Sequence, residues 1–247
     1  MTELPEPIPA ATLVLMRARA GQAPELLMME RTGTMAFAAG ALVFPGGRID
    51  PEDCEAAASL GADGEHGAAK IAAIRETIEE TGIAVGLSGS TEGLRAAMDA
   101  GEPFSALLGS RGRSVDLDAL TPFARWCPNF RETRRFDTHF YLAEAPADAP
   151  EPTVAPHEAV RAFWASAAEI IDEIEAGRAH AIFPTRRNLE RLARFGSIDE
   201  ARADAARFPV RKITPWVEQR GGGAFVCIPD DAGYPVTSEP LETARRR

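Results

Sequence analysis

The sequence predicts an α+β fold, and three observations carry that reading. Strand-length apolar runs open the chain, a 3.6-residue apolar stripe follows near residue 70, and strands and helices then recur without strict alternation. A doubly wound parallel sheet would require that alternation.

Taken in order, "ATLVLMRA" (11 to 18) and "ELLMMER" (25 to 31) flank the turn "RAGQAP" and read as a hairpin. "GALVFPGGRI" (40 to 49) is a third strand-like run, ending in Pro-Gly-Gly. "DPEDCEAAASLGADGEHGAA" reads as a short helix followed by a flexible loop. From about Ala68 to Thr81, Ile71, Ile74 and Ile78 form one helical stripe that Gly82 can end in a left-handed conformation. "LTPFARWC" and "FDTHFYLAEA" read as strands joined by the basic loop "PNFRETRR", and "EAVRAFWA" as another. A helix follows, with Ser166 as cap and Gly177 as stop, then two more in "PTRRNLERLARFG" and "SIDEARADAARF". "GGGAFVCIPDDAGYPV" reads as a late hairpin or strand. No internal repeat is present. The expectation is one elaborated domain over 1–247: a core of about 10–180, a helical and strand extension of about 181–235, and a tail of 236–247.

The chain has 247 residues, 45% apolar and 26% charged, which suits a globular protein of this size. Its formal charge of −10 argues against nucleic acid or anionic membrane as a partner, so an anionic ligand would need local cations. Cys54, Cys127 and Cys227 lack paired spacing, no apolar run approaches the ~20 residues of a membrane span, and the opening is polar. These features predict a reducing, cytoplasmic setting.

Chemistry concentrates in "RETIEETGI", residues 75 to 83. At ~100° per residue Glu76, Glu79 and Glu80 share one arc, roughly opposite the isoleucine stripe. Each like-charge pair costs about 0.2–0.5 kcal/mol, and the helix C-terminus adds to the penalty at Glu80. A solvated acidic surface is the plain alternative. A hard divalent cation would remove the repulsion, since Mg²⁺ takes carboxylate oxygens and keeps positions for water and phosphate. Arg75 would hold one carboxylate in orientation or lie in solvent as a surface pair.

"FPGGRID" followed by "AAIRETIEETGI" resembles the Nudix box of the Nudix hydrolases, G-x5-E-x7-R-E-U-x-E-E-x-G-U with U aliphatic. Arg75, Glu76, Glu79, Glu80, Gly82 and Ile83 match, whereas Thr77 stands at an aliphatic place. The first half is Gly47-x5-Asp53, with 21 residues rather than seven before Arg75, an insertion of 14. Asp53, Glu52 or Glu55 would then take the part of the motif's first glutamate. Strict spacing would instead open the motif at Gly61 and put Gly67 where the acid belongs. "RTGTMAFAAGALVFPGGRID", "RRFDTHFYLAEAP", "HEAVRAFWASAAEIIDEIEAGRA" and "IFPTRRNLERLARF" extend the resemblance toward the branch containing the mammalian peroxisomal coenzyme A diphosphatases.

The resemblance implies a Nudix fold, a mixed sheet sandwiched between helices, and Mg²⁺- or Mn²⁺-dependent hydrolysis of a nucleoside diphosphate linked to another group. Coenzyme A or an acyl-coenzyme A is the leading substrate class. ADP-sugars, dinucleotides and a non-catalytic nucleotide sensor are the rivals. Glu76 and Glu80 are the expected principal metal ligands, with Glu79 at a second ion or a bound water and the Gly46 carbonyl contributing. Glu79, Glu76 and Arg75 form the catalytic set, the base being Glu79 or a carboxylate outside the helix. Arg31, Arg131, Arg134 and Arg135 are candidate phosphate contacts, of which Arg31, Arg134 and Arg135 are preferred. Trp126, Phe130 and Phe136 read as core or base-stacking residues, and His66, His139, His157 and His180 as structural or exposed. "GGG" at 221 to 223 lacks the Lys and Ser/Thr of a phosphate loop. The residues after about 180 would cover the site, complete the core or support a homodimer.

Overall fold

The computed structural model describes residues 5–33, 38–62, 64–110, 112–128, 135–155 and 158–246. Strands β1 (Ile8–Arg19) and β2 (Gln22–Arg31) form the expected hairpin, paired from Arg19↔Gln22 to Met16↔Leu26. The third run divides at Phe44-Pro45 into β3 (Leu42–Val43), on β2, and β4 (Gly46–Arg48), on β1. Helices α1 (Pro51–Ser59) and α2 (Glu65–Thr81) follow. The expected flexible loop between them is short, because α2 begins at Glu65 rather than near Ala68.

The stretch after α2 holds elements that the sequence does not announce: β5 (Leu87–Ser88), α3 (Leu94–Asp99), α4 (Phe104–Leu108), β6 (Ser114–Val115) and a 3₁₀ turn at Leu117–Ala119. Next come β7 (Thr121–Trp126), β8 (Phe136–Glu144), β9 (Ala159–Ser166) and α5 (Ala167–Glu175). Ser166 caps α5 as expected: its Oγ accepts the Glu169 backbone N–H at 3.3 Å, and the Glu169 carboxylate accepts the Ser166 backbone N–H at 2.7 Å. The C-terminal part contributes α6 (Phe183–Leu192), α7 (Ile198–Arg207), β10 (Lys212–Ile213), β11 (Trp216–Arg220), β12 (Gly223–Cys227), β13 (Ser238–Pro240) and α8 (Leu241–Arg246). The expected tail of 236–247 therefore includes a strand and a helix.

The main sheet is mixed, in the order β10-β7-β8-β1-β2-β3, with β4 on β1 and β9 on β2. β1 runs parallel to β8 and β10 parallel to β7. Both faces are covered, which explains the unbroken apolar runs: Val14, Met16, Leu26 and Met28 enter one hydrophobic cluster, while Leu13, Leu15 and Leu27 enter the other. The second cluster lies against α1 to α4. The first takes in α5, α6 and α7 together with Val226, Ile228, Ala232 and Tyr234. The C-terminal segment thus completes this core. Tyr234 is central to it, accepting from Trp126 Nε1 at 3.0 Å and donating to Asn188 Oδ1 at 2.8 Å.

The start of α2 is pinned to the sheet. Arg125 on β7 reaches Glu65 at 2.7 Å and Asp137 on β8 at 2.8 Å. With its other end packed beside β4, α2 has a fixed orientation across the sheet.

Candidate active site

Helix α2 is not buried on one side and acidic on the other. Ile71, Ile74 and Ile78 are buried as expected, yet Arg75, Thr77, Glu80 and Thr81 are buried too. Several elements cover them: α1 meets Arg75 through Asp53, Gly46 of β4 meets Glu80, and the Thr153 N–H donates to the Thr81 carbonyl at 3.0 Å. Thr77 occupies its aliphatic place at no polar cost, since its hydroxyl donates to the Ala73 carbonyl at 2.7 Å.

Arg75 is the hub. Its Nε donates to Asp53 Oδ1 and its Nη2 to Asp53 Oδ2, both at 2.9 Å. Nη1 donates to Glu76 Oε1 and Glu79 Oε2, again at 2.9 Å, and Nη2 also reaches the Arg48 carbonyl at 3.0 Å. Asp53, 1% exposed, further accepts the Asp50 N–H at 2.8 Å. Of the three acids open to the first-glutamate role, Asp53 holds the arginine, while Glu52 and Glu55 face solvent. The pattern that distinguishes it is legible: Asp53 continues the buried stripe of Ala56 and Ala57 at i+3 and i+4. The strictly spaced alternative fails sterically, because a side chain at Gly67 would collide with the Ala62 carbonyl oxygen.

The two glycines of β4 admit the acidic face. A Cβ at Gly47 would collide with the Glu76 carboxylate, and one at Gly46 with the Ala11 carbonyl oxygen. Gly46 donates its N–H to Glu80 Oε2 at 2.8 Å. Three carboxylates thus meet Arg75 and one backbone N–H.

That supply of positive charge falls short. Burial pushes the Glu76 carboxyl up to about 7 although Arg75 opposes it, and neighbouring Glu79 adds to the rise. Burial pushes Glu80 up to about 8, with the charge of Glu76 second and the Gly46 hydrogen bond resisting. Glu79 moves in the same direction, first through burial. The donor set is hard oxygen on a short helical arc, which fits a divalent cation such as Mg²⁺. Among the described residues no group of three or more His, Cys, Asp or Glu side chains is already closed around a metal position. Arg75 and Gly46 hold these carboxylates instead.

Arg31, at the end of β2, acts favourably on Glu80 through its charge, and its buried Nε lacks a hydrogen-bond partner among the described residues. Arg135 sits elsewhere, donating to the Pro128 carbonyl at 3.2 Å and to Cys127 Sγ at 3.4 Å, across the base of its own loop. Arg131, Arg134, Phe130 and His157 lie outside the described residues. Trp126 is core, and His66 and His139 stand at the far end of α2 beside Tyr141. Glu158 is the residue that no sequence motif marks: its charge raises both Glu79 and Glu80. The β2–β9 register shifts between Glu30 and Arg31, leaving Val160 bulged and 62% exposed, and the Glu158 carbonyl accepts the Thr32 N–H at 3.2 Å. The bulge brings Arg31 and Glu158 to the same end of the sheet.

The model of the NUDIX domain matches residues 7–184. A protein described as acyl-coenzyme A diphosphatase NUDT19, from Gallus gallus, is 26% identical over 276 aligned positions covering 85% of this chain and 73% of that protein. The crystal structure of a NUDIX hydrolase from Alicyclobacillus acidocaldarius superposes with a TM-score of 0.72 at 29% identity, over 80% of this chain and 96% of that one. With the domain match spanning well over half of its length, the chain belongs to the NUDIX domain family and is a Nudix-type hydrolase.

Proposed function

We propose that this hydrolase cleaves the diphosphate linkage of a nucleoside diphosphate derivative, with coenzyme A or an acyl-coenzyme A as the favoured substrate class and Mg²⁺ or Mn²⁺ as cofactor. One observation carries the metal-dependent reading: Glu76 and Glu79 share the single guanidinium of Arg75 with Asp53, and Glu80 beside them is buried with a backbone N–H as its hydrogen-bond partner. Buried charge so poorly matched calls for a further cation. The substrate class is supported by the name of the Gallus gallus relative.

In this reading Glu76 and Glu80 are the principal ligands, Glu79 the third, and the Gly46 carbonyl an additional donor. The bound ion would neutralise phosphate oxygens as charge develops in the displacement. The chain's own groups do the positioning. Arg75, fixed by Asp53, orients Glu76 and Glu79. Arg31 meets the anionic diphosphate beside Glu80, and Arg134 adds a contact from the β7–β8 loop; the geometry of Arg135 suits the base of that loop better. Glu158, from outside the helix, takes the proton from the attacking water, with Glu79 the alternative base. Residues 1–247 act as one elaborated domain, since Val226, Ile228 and Tyr234 share the core of the main sheet. The free thiols of Cys54, Cys127 and Cys227 suit a reducing compartment such as the cytoplasm.

The test is turnover of coenzyme A, acyl-coenzyme A, ADP-sugars and dinucleotides with Mg²⁺ or Mn²⁺, with products identified as phosphopantetheine, AMP or sugar phosphate. Release of phosphopantetheine that stops on chelation is expected. Metal-independent turnover, or none on any diphosphate, would refute the reading.

A further inference from the structure

The hairpin β11–β12 carries a feature unrelated to hydrolysis. Among the described residues β11 is an edge strand: it pairs there with β12 alone, leaving the backbone groups of its other side without a ladder. All five of its residues are exposed. Trp216 and Val217 are 44% and 45% exposed, although their cross-strand partners Cys227 and Val226 are 2% and 0% exposed. The strand therefore projects past the body with apolar side chains on both faces, an arrangement that natural edges usually avoid unless something covers them.

We propose that β11 is a self-association surface, where two copies of this chain pair antiparallel about a two-fold axis through Gln219. A two-fold axis perpendicular to a sheet keeps every side chain on its own face, so one residue must sit opposite itself and the choice of register is discrete. An axis at Gln219 sets Glu218 opposite the partner's Arg220, and Arg220 opposite the partner's Glu218. Shifting the axis to Glu218 or Arg220 sets like charges opposite each other, which is unfavourable. An axis at Val217 matches no charges and brings Pro215 into the ladder. In the Gln219 register Trp216 comes opposite the partner's Gly222 and Val217 opposite the partner's Gly221. Neither glycine has a heavy atom within 4 Å of an added Cβ, so the turn leaves open space there. Within one copy Glu218 and Arg220 already share a face at 3.2 Å, so two copies would form a ring of four alternating charges. Five residues of edge fit a small, weak interface. The inference is independent of the catalytic reading.

Sedimentation velocity over a wide concentration range tests it. The wild type is expected to dimerise as concentration rises. Arg220→Glu and Glu218→Arg should each weaken association by about tenfold or more, since two favourable pairs become two like-charge pairs. An equimolar mixture of the two variants should restore it, because complementary charges then meet only between copies. Loss of an intramolecular pair cannot be rescued that way. In a Cys54→Ser background, Gln219→Cys should form a disulfide-linked dimer on mild oxidation, whereas Cys54→Ser alone should not. Circular dichroism verifies folding of each variant. A chain monomeric up to its solubility limit, a mixture that associates no better than its components, or failure of Gln219→Cys to cross-link would each overturn the proposal.

Discussion

Replacing Asp53 tests whether the insertion delivers a working part of the motif. Asp53→Asn preserves shape but removes the charge opposite Arg75 and turns an amide N–H₂ toward guanidinium donors. Three hydrogen bonds end on this carboxylate, two from Arg75 at 2.9 Å and one from Asp50 N–H at 2.8 Å. Breaking a buried ion pair costs about 3–5 kcal/mol when the remaining charge is stranded. Arg75 is not stranded, because Glu76, Glu79 and the Arg48 carbonyl remain. The expected loss is therefore about 2–3 kcal/mol, the range of one charge-assisted hydrogen bond with some relaxation. For a chain of this length that lowers Tm by about 4–12 °C. Activity should fall by more than stability accounts for, since an Arg75 freed from Asp53 leans further onto Glu76 and Glu79. Asp53→Glu keeps the charge but adds a methylene at a site 1% exposed, so a cost of about 1–3 kcal/mol from overpacking is expected with activity partly retained. Chemical denaturation and steady-state turnover at saturating Mg²⁺ measure both. Asp53→Asn within about 0.5 kcal/mol of the wild type and fully active would refute the role assigned to this bridge.

Four further outcomes follow from the site and the core. Glu80→Gln should lower metal-dependent turnover by about two to three orders of magnitude, on the scale of losing one electrostatic stabiliser, yet raise the Tm of the metal-free protein above pH 8 by removing a buried charge. The pH dependence has the same origin. Glu76 and Glu80 have folded values of about 7 and 8, above the ordinary 4.5, so their stability contribution is full below the unfolded value and lost as pH rises through 7 and 8. Metal-free Tm should thus decline from pH 6 to 9 in thermal melts with chelator, and added Mg²⁺ should close the gap. Gly47→Ala should reduce turnover by about a hundredfold with a modest loss of stability, about 1 kcal/mol, because the new methyl displaces the side-chain end of Glu76 rather than backbone. Tyr234→Phe should cost about 2 kcal/mol in denaturant melts and leave turnover unchanged, as it strips hydrogen bonds from Trp126 and Asn188 in the core alone.

What was legible in the sequence depended on period and length. β1 and β2 announce themselves because both faces are buried, and α2 because three isoleucines repeat over several turns. Helices α3 and α4 span six and five residues, too short for any 3.6-residue pattern to emerge. The motif located Arg75, Glu76, Glu79 and Glu80, but a helical wheel describes one helix and not what packs on it. The acidic arc therefore looked solvent-facing until α1 and β4 covered it. Glu158 could not be read at all, since an isolated acid far along the chain reaches the site only through the β2–β9 pairing and its bulge.

The insertion remains the strongest departure from the family motif, and magnitudes explain why it is tolerated. Lengthening a closed loop from seven residues to 21 costs only about 1 kcal/mol of closure entropy, since the dependence is logarithmic. One charge-assisted hydrogen bond between Arg75 and Asp53 is worth about 1.5–3 kcal/mol, and there are two. The added residues also bring their own burial, with Ala56 and Ala57 joining Ala68 and Ala69 in the hydrophobic cluster beneath α2. The motif requires an acid at the right point in space, not at a fixed distance along the chain. A helix whose third residue is an inward-facing aspartate meets that requirement as well as a short loop does.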